Sequence, residues 1–202
     1  MEKTGSRPIE HNDSQLVQQA LRHDQVAFLK LYERYRTGVF QYVASMVSLR
    51  EEAEDVVAES FAKAFSQLSA YDPQYHFSTW IYRIARNTAL DHLEKSGRTS
   101  SNMPTNSIDD TSSGLDTIPA LTGNPEVEII SGEDYEKLLC ALELLPEGEQ
   151  HYRTIMRMLL LDNCGYQEIA DALQIPLNTA RTRIKRGRER LQEIMKTSDE
   201  LL

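Results

Sequence analysis

Cysteine is scarce. Cys140 and Cys164 are the two in 202 residues, too few and too far apart for a disulfide framework or a cysteine-rich zinc site. That usage fits a reducing compartment, so a cytoplasmic location is expected. Long apolar runs are also missing. None approaches the ~18–20 residues that cross a bilayer, so no membrane insertion is expected. The opening residues, Met1 to Pro8, lack the apolar core of a secretory signal. His11, His23, His76, His92 and His151 form no HExxH or other ligand spacing, so no metal site is expected. Asp91-His92 alone hints at a metal phosphohydrolase, but supporting ligands are lacking. There is no Walker phosphate loop and no GxSxG elbow, and therefore no cofactor and no enzymatic activity are expected. What remains is globular: 40% hydrophobic and 26% charged residues, enough for one large domain or two small ones.

The net charge of -9 argues against a nucleic-acid partner until its distribution is considered. Residues 177–196 hold seven basic side chains against two acidic ones. A basic stripe on an acidic chain is the footprint of a polyanion-binding surface, although charge alone equally fits a solvated helix face. Residues 97–134 carry seven acids against Arg98 alone, in a setting of Ser, Thr, Asn, Gly and Pro. Without apolar period, that stretch reads as a flexible linker. The expected organisation is a tail at 1–13, a helical domain at 14–96, an acidic linker at 97–131, a second helical domain at 132–196 and a tail at 197–202.

Both blocks have helical spacing, and no β-branched alternation suggests a sheet. Leu16, Val17, Ala20 and Leu21 form one short face. Ala27, Phe28, Leu31, Tyr32 and Tyr35 begin a second helix, capped by Asp24 and continuing with a bend past Gly38. Ser48 and Glu51 fit a capping box for a third, whose inward face is Ala53, Val57, Phe61, Ala64 and Leu68. Tyr71-Asp-Pro73 stops it. Ser78 or Thr79 caps a fourth, with Trp80, Ile81, Ile84 and Leu90, and Gly97 ends it.

The second block carries the sharpest motif. Tyr166–Leu173 is a short amphipathic helix, Gln174-Ile-Pro176 is a turn, and Asn178 or Thr179 caps a basic helix with Ala180, Ile184, Gly187 and Leu191 facing inward. This is a helix-turn-helix, a motif that places its second helix in the DNA major groove. On that helix Thr182, Lys185, Arg186 and Glu189 point outward, flanked by Arg181, Arg183, Arg188 and Arg190. A helical hairpin that binds protein or RNA is the competing reading of the motif alone.

The run Glu168-Ile-Ala170, Leu173, Ile175-Pro176, Thr179 to Arg183, Arg186, Arg188 and Leu191 resembles the promoter-reading domain of bacterial sigma factors. Ala53-Glu-Asp55 through Phe61 resembles the polymerase-binding helix of the same family, and Phe77 to Asp91 resembles its promoter-melting segment. The two-block layout is similar to the small extracytoplasmic-function (ECF) group. There are departures: the stretch from Leu145 to Glu168 is about three residues longer than usual, and Ala180, Thr182 and Gly187 replace the more usual Val, Ser and Ala.

The resemblance implies an all-α protein that binds core RNA polymerase and directs promoter-specific initiation. It assigns Glu52, Glu54, Asp55 and Glu59 to docking on the clamp helices of the largest polymerase subunit, with the flap region as a second polymerase contact. Gln67, Tyr71, Arg83, Arg86 and Asn87 are assigned to the minus-ten DNA, where Tyr71 and Asn87 match a pocket for a flipped base. Asn178, Thr179, Arg181, Thr182, Arg183, Lys185 and Arg186 are assigned to the minus-thirty-five duplex, and an anti-sigma factor is a candidate partner. Trp80 reads as packing and Cys164 as a small buried residue. The competing function is a polymerase-independent regulator with a helical sensor domain, which requires a concave apolar pocket in the first block.

Overall fold

The computed structural model describes residues 13–98 and 132–199, apart from 147 and 149. Its elements are α1 (Asp13–Ala20), α2 (Gln25–Ala44), α3 (Arg50–Ser66), a 3-10 turn (Leu68–Ala70), α4 (Phe77–Lys95), α5 (Gly132–Leu144), α6 (Tyr152–Leu160), α7 (Tyr166–Leu173) and α8 (Leu177–Asp199). No strand occurs among the described residues, in line with the all-α expectation. Nearly all of the expected linker, from residue 99 on, lies outside the described residues. Asp13 opens α1 and α8 runs to Asp199, so both expected tails contribute helix.

In the first unit α2, α3 and α4 bury Leu31, Val39, Val43, Ala53, Val57, Phe61, Ile81, Ala85 and Ala89, and α1 adds Leu16, Val17 and Ala20. The three- and four-residue spacing of these positions is the reason the segments are helical in this setting: each supplies one apolar stripe to a common core. Edge-on ring pairs, Phe28–Phe65 and Tyr32–Phe61, both with centroids 4.8 Å apart, close the α2–α3 seam. The second unit packs α5, α6, α7 and α8 around Leu142, Leu145, Ile155, Met156, Met158, Leu159, Ile169, Leu173 and Ile184.

Local chemistry sets the helix ends, not always as expected. Asp24 caps α2, its Oδ1 accepting the Val26 N–H at 2.9 Å and the Ala27 N–H at 3.4 Å. Gly97, at φ 67°, follows the end of α4 in the left-handed conformation that favours glycine. The Ser48 capping box is not formed. The N-cap of α3 is Leu49, one residue later, and Glu52 bonds back to the Leu49 backbone in its place. Ser78 and Thr79 do not cap α4 either. The helix starts at Phe77, and both hydroxyls turn to Cys164 in the second unit. Asn178 and Thr179 already lie inside the first turn of α8, which starts at Leu177.

The two units lie against each other. Helix α7 packs on α4 and α6 on α2. The loop between α6 and α7 carries Asp162 and Cys164 to the start of α4. Helix α2 runs on through Gly38, and the glycine admits both neighbours: a Cβ there would sit 2.5 Å from Tyr82 Oη on α4 and 3.2 Å from Arg157 Nε on α6. Gly38→Ala is therefore expected to lower the unfolding free energy by ~1–2 kcal/mol, overpacking outweighing the better helix propensity of alanine. Denaturant titration checks it, and an unchanged or raised midpoint would mean that Tyr82 yields at no cost.

Candidate nucleic-acid interface

The acids of α3 are not equivalent. Glu54, Asp55 and Glu59 are exposed, whereas the Glu52 side chain is 16% exposed. Arg98, just beyond α4, grips Glu52 through two bonds of 2.6 and 2.8 Å, and His92 lies 3.9 Å away. Those bonds to Arg98 hold the Glu52 carboxyl below its usual range. Glu52 thus fastens the end of α4 to the start of α3. Glu54 pairs with Arg50 at 3.0 Å and Glu59 with Lys63 at 2.8 Å, each one helical turn away. Asp55 has no ion pair among the described residues and is the acid most open to a partner.

The 3-10 turn and α4 form one wall of a cleft of about 470 Å³, and α7 with the turn that follows forms the other. Tyr71 and Arg83 line it together with Trp80, Tyr75 and Asp72. Tyr71 stands edge-on to Phe77 and Trp80, both at 6.0 Å, and its hydroxyl donates to the Tyr75 carbonyl at 2.5 Å. Desolvation pushes that phenol up to about 12, so it stays a neutral donor. Arg83 lies over the Trp80 ring at 5.9 Å, which holds a cation beside an aromatic wall. Asn87 follows Arg83 by one turn and is exposed. Gln67 is exposed at the end of α3. Gln67, Arg86 and Asn87 stay outside the lining of the cleft. Arg86 donates across the unit boundary to Gln174 Oε1 at 2.5 Å.

The helix-turn-helix forms as read. Gly165 precedes α7, and its N–H donates to Glu168 Oε2 at 2.8 Å. Gln174 ends α7 at φ 50°, and the Ala180 N–H donates to the Pro176 carbonyl at 3.0 Å as α8 begins. Asn178, Arg181, Thr182, Lys185 and Arg186 are exposed, and Thr179 is half-buried. Thr182 Oγ1 donates to the Asn178 carbonyl at 3.0 Å. Arg183 differs from the expected flanking position: it is 6% exposed. Its neighbour Ile184 belongs to the core, and the Arg183 charge is close enough to His151 to perturb it. The glycine at 187 also has a packing reason, since a Cβ would lie 2.9 Å from Met156 Sδ.

The sequence reading left two polar residues at this boundary without a role. His151, at φ 50°, packs edge-on to Tyr42 at 4.9 Å with Nδ1 3.3 Å from Ser45 Oγ. Burial pulls it down to about 4, and the Arg183 and Arg86 charges add to that. Asp162 sits beside Tyr35, Asp13, Arg157, Ser78 and Arg34; desolvation pushes its carboxyl up to about 7, helped by Asp13 and opposed by Arg157. Cys164 is buried against Ser78 Oγ at 3.2 Å, with its thiol pushed up by desolvation. Only the turn-like run Asp162-Asn163-Cys164-Gly165 marks this loop in the sequence.

An aromatic and arginine wall on one helical unit and a basic helix-turn-helix on the other define a DNA-binding protein of two helical parts. The sigma-70 region 2 family model matches residues 31–99 and the sigma-70 region 4 model matches residues 135–191. The chain is 30% identical over 183 residues to the ECF RNA polymerase sigma factor SigW of Bacillus subtilis, spanning 88% of this chain and 93% of that protein. It is 35% identical over 179 residues to the ECF RNA polymerase sigma-E factor of Salmonella typhimurium, spanning 88% and 91%. The solved structure of CnrH with the cytosolic domain of CnrY is similar at a TM-score of 0.48 and 20% identity, over 92% of this chain and 98% of that one. The chain belongs to the sigma-70 family, in its ECF group, and is a sigma factor that directs promoter-specific transcription. Both matched regions are polymerase-linked, so the sensor-type regulator is not favoured. Among the described residues no helix is long and apolar enough to cross a membrane, and no His, Cys, Asp and Glu side chains gather as a metal site.

His151 and Asp162 set opposing pH dependences on the folded protein. The imidazole is lower in the folded chain than free, so its term is lost as pH falls through the window from ~6.5 to 4. The carboxyl is higher than free, so its term weakens as pH rises from ~4 to 7. In the wild type the two largely cancel. Asp162→Asn is expected to leave stability rising by ~1–3 kcal/mol from pH 4 to 6.5, and His151→Asn to leave it falling over the same range. Thermal midpoints measured across that range decide the matter; parallel profiles for the two variants would refute it.

Proposed function

We propose that this sigma factor docks on core RNA polymerase through the exposed acids of α3, reads the minus-thirty-five duplex with α8, and holds unpaired minus-ten DNA in the cleft of Tyr71 and Arg83. The observation that carries the reading is the pairing, on one chain, of two complementary DNA surfaces. One has an aromatic wall beside arginines, suited to unstacked bases and their phosphates. The other is an exposed basic helix suited to a major groove. Asp55 leads the polymerase contact, with Glu54 and Glu59 adding charge that guides encounter, while Glu52 supports them by holding α3 to α4. An anti-sigma factor belongs to the same reading as a competitor for these surfaces.

On α8 the outward Thr182 and Arg186 take the base edges, while Asn178, Thr179, Arg181 and Lys185 sit nearer the phosphates. Reversal of Glu54, Asp55 and Glu59 to Lys together is expected to abolish co-elution with core polymerase while far-ultraviolet circular dichroism stays unchanged; full retention of binding would remove α3 from the polymerase contact. Arg186→Ala in the holoenzyme is expected to lose ~1–3 kcal/mol at one base pair of the upstream element, and Arg181→Ala to weaken all sequences alike and lower the salt slope by about one. Filter binding on promoter variants at several salt concentrations separates the two, and wild-type preference with wild-type slope in both variants would displace α8 as the reading helix.

A further inference from the structure

On the outer face of α8 the first polar bonds are made within the helix. Thr182 Oγ1 donates to the Asn178 carbonyl at 3.0 Å, and Arg181 Nη1 donates to Asn178 Oδ1 at 3.5 Å. A threonine hydroxyl turned back on the carbonyl one turn earlier is a stable state in a helix. It decides what the residue can offer a groove. The hydroxyl proton is committed to the backbone, and the γ-methyl is the branch left for an outside partner. Thr182 is exposed, and the buried Ala180, Ile184 and Leu191 fix the face on which it stands. Of the exposed Asn178, Arg181, Thr182, Lys185 and Arg186, Thr182 alone ends in a methyl.

We infer that Thr182 selects thymine in the upstream duplex by contact of its γ-methyl with the thymine C5-methyl, while its hydroxyl serves the helix. The inference rests on the reading of Thr182 as a base-edge contact. Thymine is the one base of the four that carries a methyl in the major groove. A hydroxyl, able to donate or accept, discriminates poorly among base edges, whereas a methyl favours thymine over each of the others. To donate to a base, the Thr182 hydroxyl would have to give up its bond to Asn178, and such exchanges return little. The methyl needs no such exchange. Burying one methyl corresponds to about a three- to fivefold change in affinity.

The test uses holoenzyme assembled from the full-length chain and core polymerase, with an upstream element that this holoenzyme has selected from a random duplex library. Each thymine of the element is replaced in turn by deoxyuridine, which removes the C5-methyl and nothing else. At one position the wild type is expected to bind the replaced duplex about three- to fivefold more weakly. Thr182→Ser keeps the hydroxyl and its bond to Asn178, and should bind thymine and deoxyuridine equally there. Thr182→Val keeps a methyl branch without the hydroxyl, and should retain the discrimination. At the same position 5-methyldeoxycytidine should bind the wild type about three- to fivefold more tightly than deoxycytidine, with no difference for Thr182→Ser. Far-ultraviolet circular dichroism and co-elution with core polymerase are expected to stay at wild-type values in each variant.

Discrimination kept by Thr182→Ser and lost by Thr182→Val would assign the reading to the hydroxyl and overturn the inference. A deoxyuridine penalty of equal size in the wild type and Thr182→Ser would overturn it too, since the methyl would then act through the shape of the duplex. The same holds if no thymine of the element shows a penalty, or if 5-methyldeoxycytidine gains nothing. If Thr182→Ser, Thr182→Val and Thr182→Ala all keep the wild-type preference at every natural base pair, the base-edge reading of Thr182 falls, and the methyl inference falls with it. Arg186→Ala in the same assay reports on α8 as the reading helix independently of Thr182.

Discussion

Helix α4 serves two partners at once, and the rest of the arrangement follows from that constraint. One of its faces supplies Phe77, Ile81, Ala85 and Ala89 to the core of the first unit. Burial of side chains of that size stabilises by ~1.5–3 kcal/mol each for the large ones, so this face is fixed. The remaining surface carries Arg83, Arg86 and Asn87, and near its start Ser78 and Thr79 meet the second unit. A helix pinned so firmly on one side presents the other as a rigid platform. Whatever binds there, α7 or DNA, meets side chains already held in register, and little ordering entropy is left to oppose it.

The ends of α4 are secured by unlike means. At the C-terminus Arg98 reaches back to Glu52, which in turn bonds the Leu49 backbone at the start of α3. With the Arg98 side chain 45% exposed, the pair is largely screened by water and adds little to stability on its own. Its effect is directional, since it sets the point at which the chain departs toward residue 99. At the N-terminus the hydroxyls of Ser78 and Thr79 bond the Cys164 thiol of the second unit. The first fastening lies within one unit and survives their separation. The second exists only while the units are together.

Most helices and the inward faces of α3 and α8 were legible in the sequence, because a 3.6-residue apolar period depends on nearby residues alone. The Asp24 cap was legible for the same reason, its partners lying two and three residues away. The failures involve distant partners. Ser78 and Thr79 look like caps until Cys164, 86 and 85 residues on, claims their hydroxyls. Glu52 looks like a member of an acidic docking face until Arg98, 46 residues on, turns it inward. Arg183 looks like a flanking basic residue because helical geometry places it beside the solvent face, yet it is buried along with Ala180, Ile184 and Gly187. The exposed arginines and the paired cleft residues could be read as site candidates from type and order. The packing of α7 on α4 could not, because no local pattern records which surfaces of two helical units will meet.

Charge asymmetry then bears on how firmly the two units are held together. Across the boundary α7 and its turn meet the first unit with a neutral amide on Arg86 and one carboxylate beside His76, not with a dense set of acids. A neutral acceptor on an arginine contributes a net ~0.5–3 kcal/mol, whereas a run of phosphates adds counterion release with every contact. Sparse, largely neutral contacts therefore hold the boundary less firmly than a dense set of acids on the same arginine would.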